Sequence, residues 1–97
     1  MKINTYLEIT MVIRENNRES AAKVYNDYRD LFLSKIEGAL SKQLLVRNED
    51  VQVLHGFDSI ENAKAYLNSE MFKNDVFVGL KPLWDKEPEV KIYSIIA

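Results

Sequence analysis

Between Thr5 and Ile13 the chain alternates without a break: Leu7, Ile9, Met11 and Ile13 fall on one side, Tyr6, Glu8, Thr10 and Val12 on the other. A period of two with several β-branched residues specifies a strand, and one face of this strand is wholly apolar. Such a strand must lie in a sheet whose apolar face is covered, and the rest of the chain has to supply both neighbours and cover. With 97 residues there is room for one domain, 1–97, and a modest core. Three glycines and two prolines leave little of the chain for long loops.

The residues after this strand have the periods needed to supply both. Asn16 and Glu19 have capping-box spacing. After them Ala21, Val24, Tyr25, Tyr28, Leu31, Phe32 and Ile36 recur at helical steps, and Gly38 stands where a helix should stop. Ala39–Val46 and Val51–Phe57 read as strands joined by the polar turn Arg47-Asn48-Glu49-Asp50, hence a hairpin. Asp58 and Glu61 repeat the capping-box spacing and open a helix carrying Ala63, Tyr66, Leu67 and Met71 on one side. Val76–Leu83 reads as one helical turn and a loop around Gly79 and Pro82, with Trp84 following in the loop before the last strand. Val90–Ala97, introduced by Pro88, reads as the last strand.

The order is β-α-β-β-α-β, an α+β chain of the ferredoxin-like type. It predicts a four-stranded antiparallel sheet with strand order 4-1-3-2 and two helices on one face. The other face is not clearly polar: Tyr6, Val12 and Leu54 fall there, and the last strand is apolar in both registers. A sheet apolar on both sides needs a second layer, and a second copy of the same sheet supplies one, so a homodimer is expected.

Several functions are excluded by composition. A net charge of −2, with basic residues scattered among acidic ones, gives no footprint for nucleic acid. There is no cysteine and one histidine, which leaves no ligand set for a metal. No glycine-rich phosphate loop and no nucleophile elbow are present. The start is polar and no long apolar run occurs, so neither a membrane nor secretion is expected, and the cytoplasm is the expected location.

The stretch from Val51 to Phe72 resembles the antibiotic biosynthesis monooxygenase family of the dimeric α/β-barrel superfamily. The resemblance lies in a strand ending in the aromatic Phe57, the capped helix start Asp58-Ser59, and the helix end Tyr66-Leu67-Asn68-Ser69-Glu70-Met71-Phe72. It implies homodimers whose sheets form a joint barrel, with a pocket between helices and sheet in each subunit. It also implies oxygenase chemistry on small aromatic or quinone-like substrates without a cofactor. The haem-degrading branch carries a histidine late in the second helix; here Lys73-Asn74-Asp75-Val76-Phe77 has none, and that activity is not expected.

His55 is the candidate catalytic residue. Alternation from Phe57 places it on the helix-facing side, where a neutral imidazole can take a phenolic proton and leave an anion that reacts with oxygen. Leu7, Ile9, Tyr25, Tyr28, Phe57 and Tyr66 are the expected substrate pocket. The competing account of the same residues is structural: a hydrogen-bonded core histidine, and tyrosines at helical spacing packed in the core. Glu8, mid-strand on the opposite face, would need a partner such as Lys42, Lys91 or Gln52 if buried. Two functions therefore stand: a cofactor-independent monooxygenase, or a non-catalytic dimeric module that holds an apolar metabolite.

Overall fold

The computed structural model describes residues 2–97. Four strands, β1 (Thr5–Ile13), β2 (Ala39–Val46), β3 (Val51–Phe57) and β4 (Trp84–Ser94), form one antiparallel sheet in the order β2-β3-β1-β4. Helices α1 (Arg18–Lys35) and α2 (Ile60–Leu67) cover one face, as the ferredoxin-like reading expects. The alternation in β1 translates directly into burial: Leu7, Ile9, Met11 and Ile13 are sealed under the helices, while Tyr6, Glu8, Thr10 and Val12 are half-buried on the open face. The hairpin link closes through Arg47 N–H donating to Asp50 O, and a guanidinium-carboxylate fork of 2.7 and 2.8 Å between the same residues.

Helix starts differ from the capping-box reading. Asn16 lies inside a 3₁₀ turn, Glu15–Asn17, so it cannot cap; α1 begins after Asn17, whose side chain donates to Leu83 O instead. At α2 the cap is Ser59, whose Oγ accepts from Asn62 N–H at 3.1 Å. Asp58 is one residue too early and accepts from the Asn62 side chain at 2.8 Å. Gly38 does stop α1: its φ of +79° is the left-handed conformation that favours glycine.

The largest departure comes after α2. The run read as one turn and a loop is helical throughout: α3 (Glu70–Phe72) is capped by Ser69, widens into a π-helix over Lys73–Leu80, and ends in a 3₁₀ turn at Lys81–Leu83. Its buried residues Phe72, Asp75, Val76 and Leu80 close the helix-facing layer. Trp84 is not in a loop but is the first residue of β4, which therefore begins six residues before Val90 and ends at Ser94 rather than Ala97. Pro88 does not introduce this strand; it falls within it. Pairing passes from Thr10↔Glu89 to Val12↔Lys86, so Glu87 and Pro88 sit in a bulge of an edge strand, where no ladder N–H is required.

Candidate functional site

Cross-strand register builds the site. On the helix-facing side, β4, β1, β3 and β2 contribute one row: Ile92, Leu7, His55 and Lys42. Two of these four are polar, under a layer that excludes water, so each must find a partner within the protein. The His55 ring folds back onto its own cross-strand neighbour, with Nδ1 at 3.1 Å from Leu7 O. A carbonyl only accepts, so Nδ1 carries the proton and Nε2 is the basic nitrogen. Burial, with the Lys42 charge adding to it and the Leu7 hydrogen bond opposing it, pushes the imidazole down to about 3. The ring is neutral at physiological pH.

Aromatic rings wall His55 in. Phe32 of α1 meets it edge-on at 5.1 Å between centroids, and Tyr66 of α2 lies at 5.4 Å. Phe32 also meets Phe57 and Tyr66 edge-on, and Phe72 of α3 closes over Tyr66. Such edge-to-face contacts are the favoured arrangement of aromatic quadrupoles.

Lys42 solves its burial differently. Its Nζ lies 2.8 Å from Asp75 Oδ2, a carboxylate delivered by the π-helix, and both side chains are almost fully enclosed. The ammonium also lies over the Phe32 and Tyr25 rings, at 5.2 and 5.8 Å from their centroids. Tyr25 donates its hydroxyl to Lys42 O at 2.6 Å. Burial pushes the Asp75 carboxyl up against the opposing pull of Lys42. The Tyr66 phenol is held above its ordinary range by burial, with Asp75 adding to it. Among the described residues two buried side-chain polar atoms have no hydrogen-bond partner: Tyr66 Oη and Asp75 Oδ1.

Space is scarce. A void of about 10 Å³ adjoins Tyr25, Lys42, Asp75 and Leu80, enough for roughly one water. An open groove of about 170 Å³ runs between the end of α1 and α2, with Tyr66 and Ser69 in its wall. His55, 1% exposed, lines neither. Among the described residues no three His, Cys, Asp or Glu side chains converge as metal ligands, and no helix is long and apolar enough to cross a membrane.

Of the residues singled out in the sequence, His55, Phe57 and Tyr66 are brought together, with Leu7 joined through its carbonyl; Ile9 lies in the same core. Tyr25 reaches the Lys42 end of the cluster, not His55. Tyr28 is half-buried and lies outside the core cluster. Lys42 and Asp75 were missed as site residues. Lys42 is on the face opposite Glu8 and cannot be its partner; Glu8 stands half-buried across from Lys91 and Leu54. The available signal was Lys42 inside the apolar run Ala39–Val46, and Asp75 on the same helical stripe as Phe72 and Val76.

No family profile matches the sequence, and no curated protein does so. Solved structures do. A conserved protein from Methanosarcina mazei superposes with a TM-score of 0.81 at 18% identity, over 97% of this chain and 94% of that one. The structure named "putative antibiotic biosynthesis monooxygenase" from Caulobacter crescentus gives 0.81 at 16% identity, over 98% and 92%. Its namesake from Bordetella bronchiseptica gives 0.81 at 12%, over 97% and 99%. The chain has the fold of the proteins that carry this name, the family its Val51–Phe72 stretch resembles.

Proposed function

We propose that this chain is a cytoplasmic homodimer acting as a cofactor-independent, monooxygenase-like protein on a small aromatic or quinone-like substrate, with His55 as the base. The observation that carries the reading is the placement of His55: a neutral ring whose proton is directed at Leu7 O, leaving Nε2 as the free acceptor nitrogen inside aromatic walls. The fold shared with structures named as monooxygenases supports it. Nε2 takes a phenolic proton, and the resulting anion is electron-rich enough to react with dioxygen directly. At a ring methylene the balance is CH₂ plus O₂ giving C=O plus H₂O; the carbon supplies all the electrons, and no reductant is consumed. Because His55 is sealed, substrate entry requires the α2–α3 cover to move, and Tyr66, which lies between the open groove and His55, is the side chain to displace.

The bare face of the sheet supports the dimer. Its rows are Tyr93-Tyr6-Gly56-Ser41 and Lys91-Glu8-Leu54-Gln43, and Tyr93 is half-exposed in the single chain. A second copy laid across these rows is the layer they need.

A second reading is the non-catalytic module, favoured by the enclosure of His55 and by the weak basicity that enclosure imposes. Oxygen uptake with a panel of polycyclic phenols and quinols separates the two. The oxygenase reading expects uptake matched to product, reduced by roughly 10²–10⁴-fold in His55→Ala. A ligand that raises the melting temperature with no oxygen uptake assigns the chain to the module.

A further inference from the structure

The Lys42–Asp75 pair is built unlike a purely structural salt bridge. An ammonium has three N–H donors, yet among the described residues the structure gives Lys42 Nζ one hydrogen bond, to a single oxygen of Asp75. The other carboxylate oxygen, Oδ1, is buried and has no partner. Both ions have been taken out of bulk water, and protein groups among the described residues meet one of the three ammonium donors and one of the two carboxylate oxygens. A buried pair repays its desolvation only when the remaining donors and lone pairs are also met.

The two partners also differ in how they are held. Lys42 projects from β2, paired to β3 in the sheet, and is the cross-strand neighbour of His55. Asp75 rides on the π-helix Lys73–Leu80, a widened geometry that commonly marks functional sites. That segment buries Asp75, Val76 and Leu80 and leaves Phe77 and Val78 largely exposed, so its outer side has no cover in the single chain. The void between Lys42, Asp75 and Tyr25 admits only about one water. Nothing larger reaches Lys42 unless Asp75 withdraws.

Resting on the oxygenase reading, and naming the group its substrate needs, we infer that Lys42 is the anion-binding residue of this site. Asp75 is its built-in occupant, displaced when an aromatic ligand bearing a phenolate oxygen enters. The phenolate takes the place of the carboxylate against Lys42 Nζ, with the ligand ring against Phe32 and Tyr25, the rings that already flank the ammonium. The anion left after a phenol gives its proton to His55 Nε2 then has a countercharge one strand away. Asp75 also keeps the empty site from trapping other anions.

The probe is para-nitrophenol, whose phenolate is read by its visible absorbance. With the wild-type chain the bound probe is expected as phenolate at a pH below its free pKa. Asp75→Asn removes the internal competitor, and the probe is expected to bind about tenfold more tightly. The same variant, less stable alone because Lys42 loses its countercharge, should be raised in melting temperature by the probe more than the wild type is. If Asp75→Asn does not fold alone, refolding with saturating para-nitrophenolate is read instead, and recovery of folded protein supports the inference. Lys42→Met/Asp75→Asn, with the charges removed together, should fold and bind no phenolate. The inference is overturned if Asp75→Asn binds the probe no better than wild type, if it is not rescued, or if the double variant still binds phenolate. Oxygen uptake on the same samples keeps the two readings apart. Phenolate binding through Lys42 with no uptake on any substrate sinks the oxygenase reading alone. Uptake undiminished in the double variant sinks the anion site alone.

Discussion

The two faces of this sheet come from the same strands and meet opposite conditions. On the helix-facing side Leu7, Ile9, Met11 and Ile13 are at most 1% exposed, and two polar residues of the same face, His55 and Lys42, are bound to a carbonyl and a carboxylate. On the other side Tyr6, Glu8, Thr10 and Val12 stay half-buried, and Glu8 tolerates a leucine neighbour on one flank. The difference teaches what a charged residue in a strand means. Glu8 remains hydrated in the single chain and constrains little, whereas Lys42, on the dry face, dictates where the π-helix must place Asp75.

That contrast is broken most directly at Lys42. Lys42→Met leaves the Asp75 carboxylate buried without its countercharge, and unfolding in urea at fixed protein concentration should show a loss of about 3–5 kcal/mol. Lys42→Met/Asp75→Leu, which removes both charges, should recover most of it. A loss below about 1 kcal/mol for the single variant would mean that water reaches the pair, and the inner face would not be dry.

The same dryness has a pH signature of comparable size. His55 titrates near 6.5 in the unfolded chain and is pushed down to about 3 in the folded one. The unfolded chain therefore takes the proton first. Stability from the neutral ring is fully present above about 6.5 and drains as the pH falls towards about 3. The loss by pH 4 should be on the order of 3 kcal/mol, and it should vanish in His55→Gln. Asp75, held up by burial, acts in the opposite sense, and subtracting the variant's profile removes its contribution. A smaller effect is expected at neutral pH, where His55→Gln should cost about 1–3 kcal/mol for lost packing and an orphaned Leu7 carbonyl.

Much of this architecture was legible and the misses have physical causes. Period-two patterning and a four-residue polar turn located β1, β2 and β3, because the apolar pattern of each breaks off at polar residues. The start of β4 was hidden by Pro88, which looks like a strand breaker but is absorbed by a bulge on an edge. The segment after α2 looked like a loop because Gly79 and Pro82 punctuate it, although its buried Phe72, Val76 and Leu80 recur at helical steps of four. Alternation back from Phe57 was enough to bring His55 to Tyr66. It was not enough for Lys42: the register of β2 shifts between Ala39 and Ser41, so parity counted from one end names the wrong face. Its partner lies 33 residues further on, beyond any local pattern. Tyr28 fits the helical stripe, but buried contact centres on Ala21 and Phe32 and leaves it at the rim.

The mildest change for the single chain should come from the open face, and it tests that face alone. Leu54 sits near its middle, with Glu8 on one flank and Gln43 on the other. In Leu54→Lys the alkyl stem can lie along the sheet with its ammonium near the Glu8 carboxylate, so the folding stability of one chain should change by no more than about 0.5 kcal/mol. Association is another matter. If a second copy covers this face, with an interface clearing ~1,000 Å², the new charge is buried opposite its own symmetry mate, where like charges repel and neither is hydrated. Sedimentation should then find the wild type dimeric at micromolar concentration, with a melting temperature that rises with protein concentration, and the variant monomeric, with a melting temperature that does not. A wild type that sediments as a monomer removes the dimer from the proposal. It would also mean that half-buried Tyr6, Val12 and Leu54 are the ordinary apolar share of a solvent-facing sheet, and the two faces would differ in what they exclude rather than in what they bind.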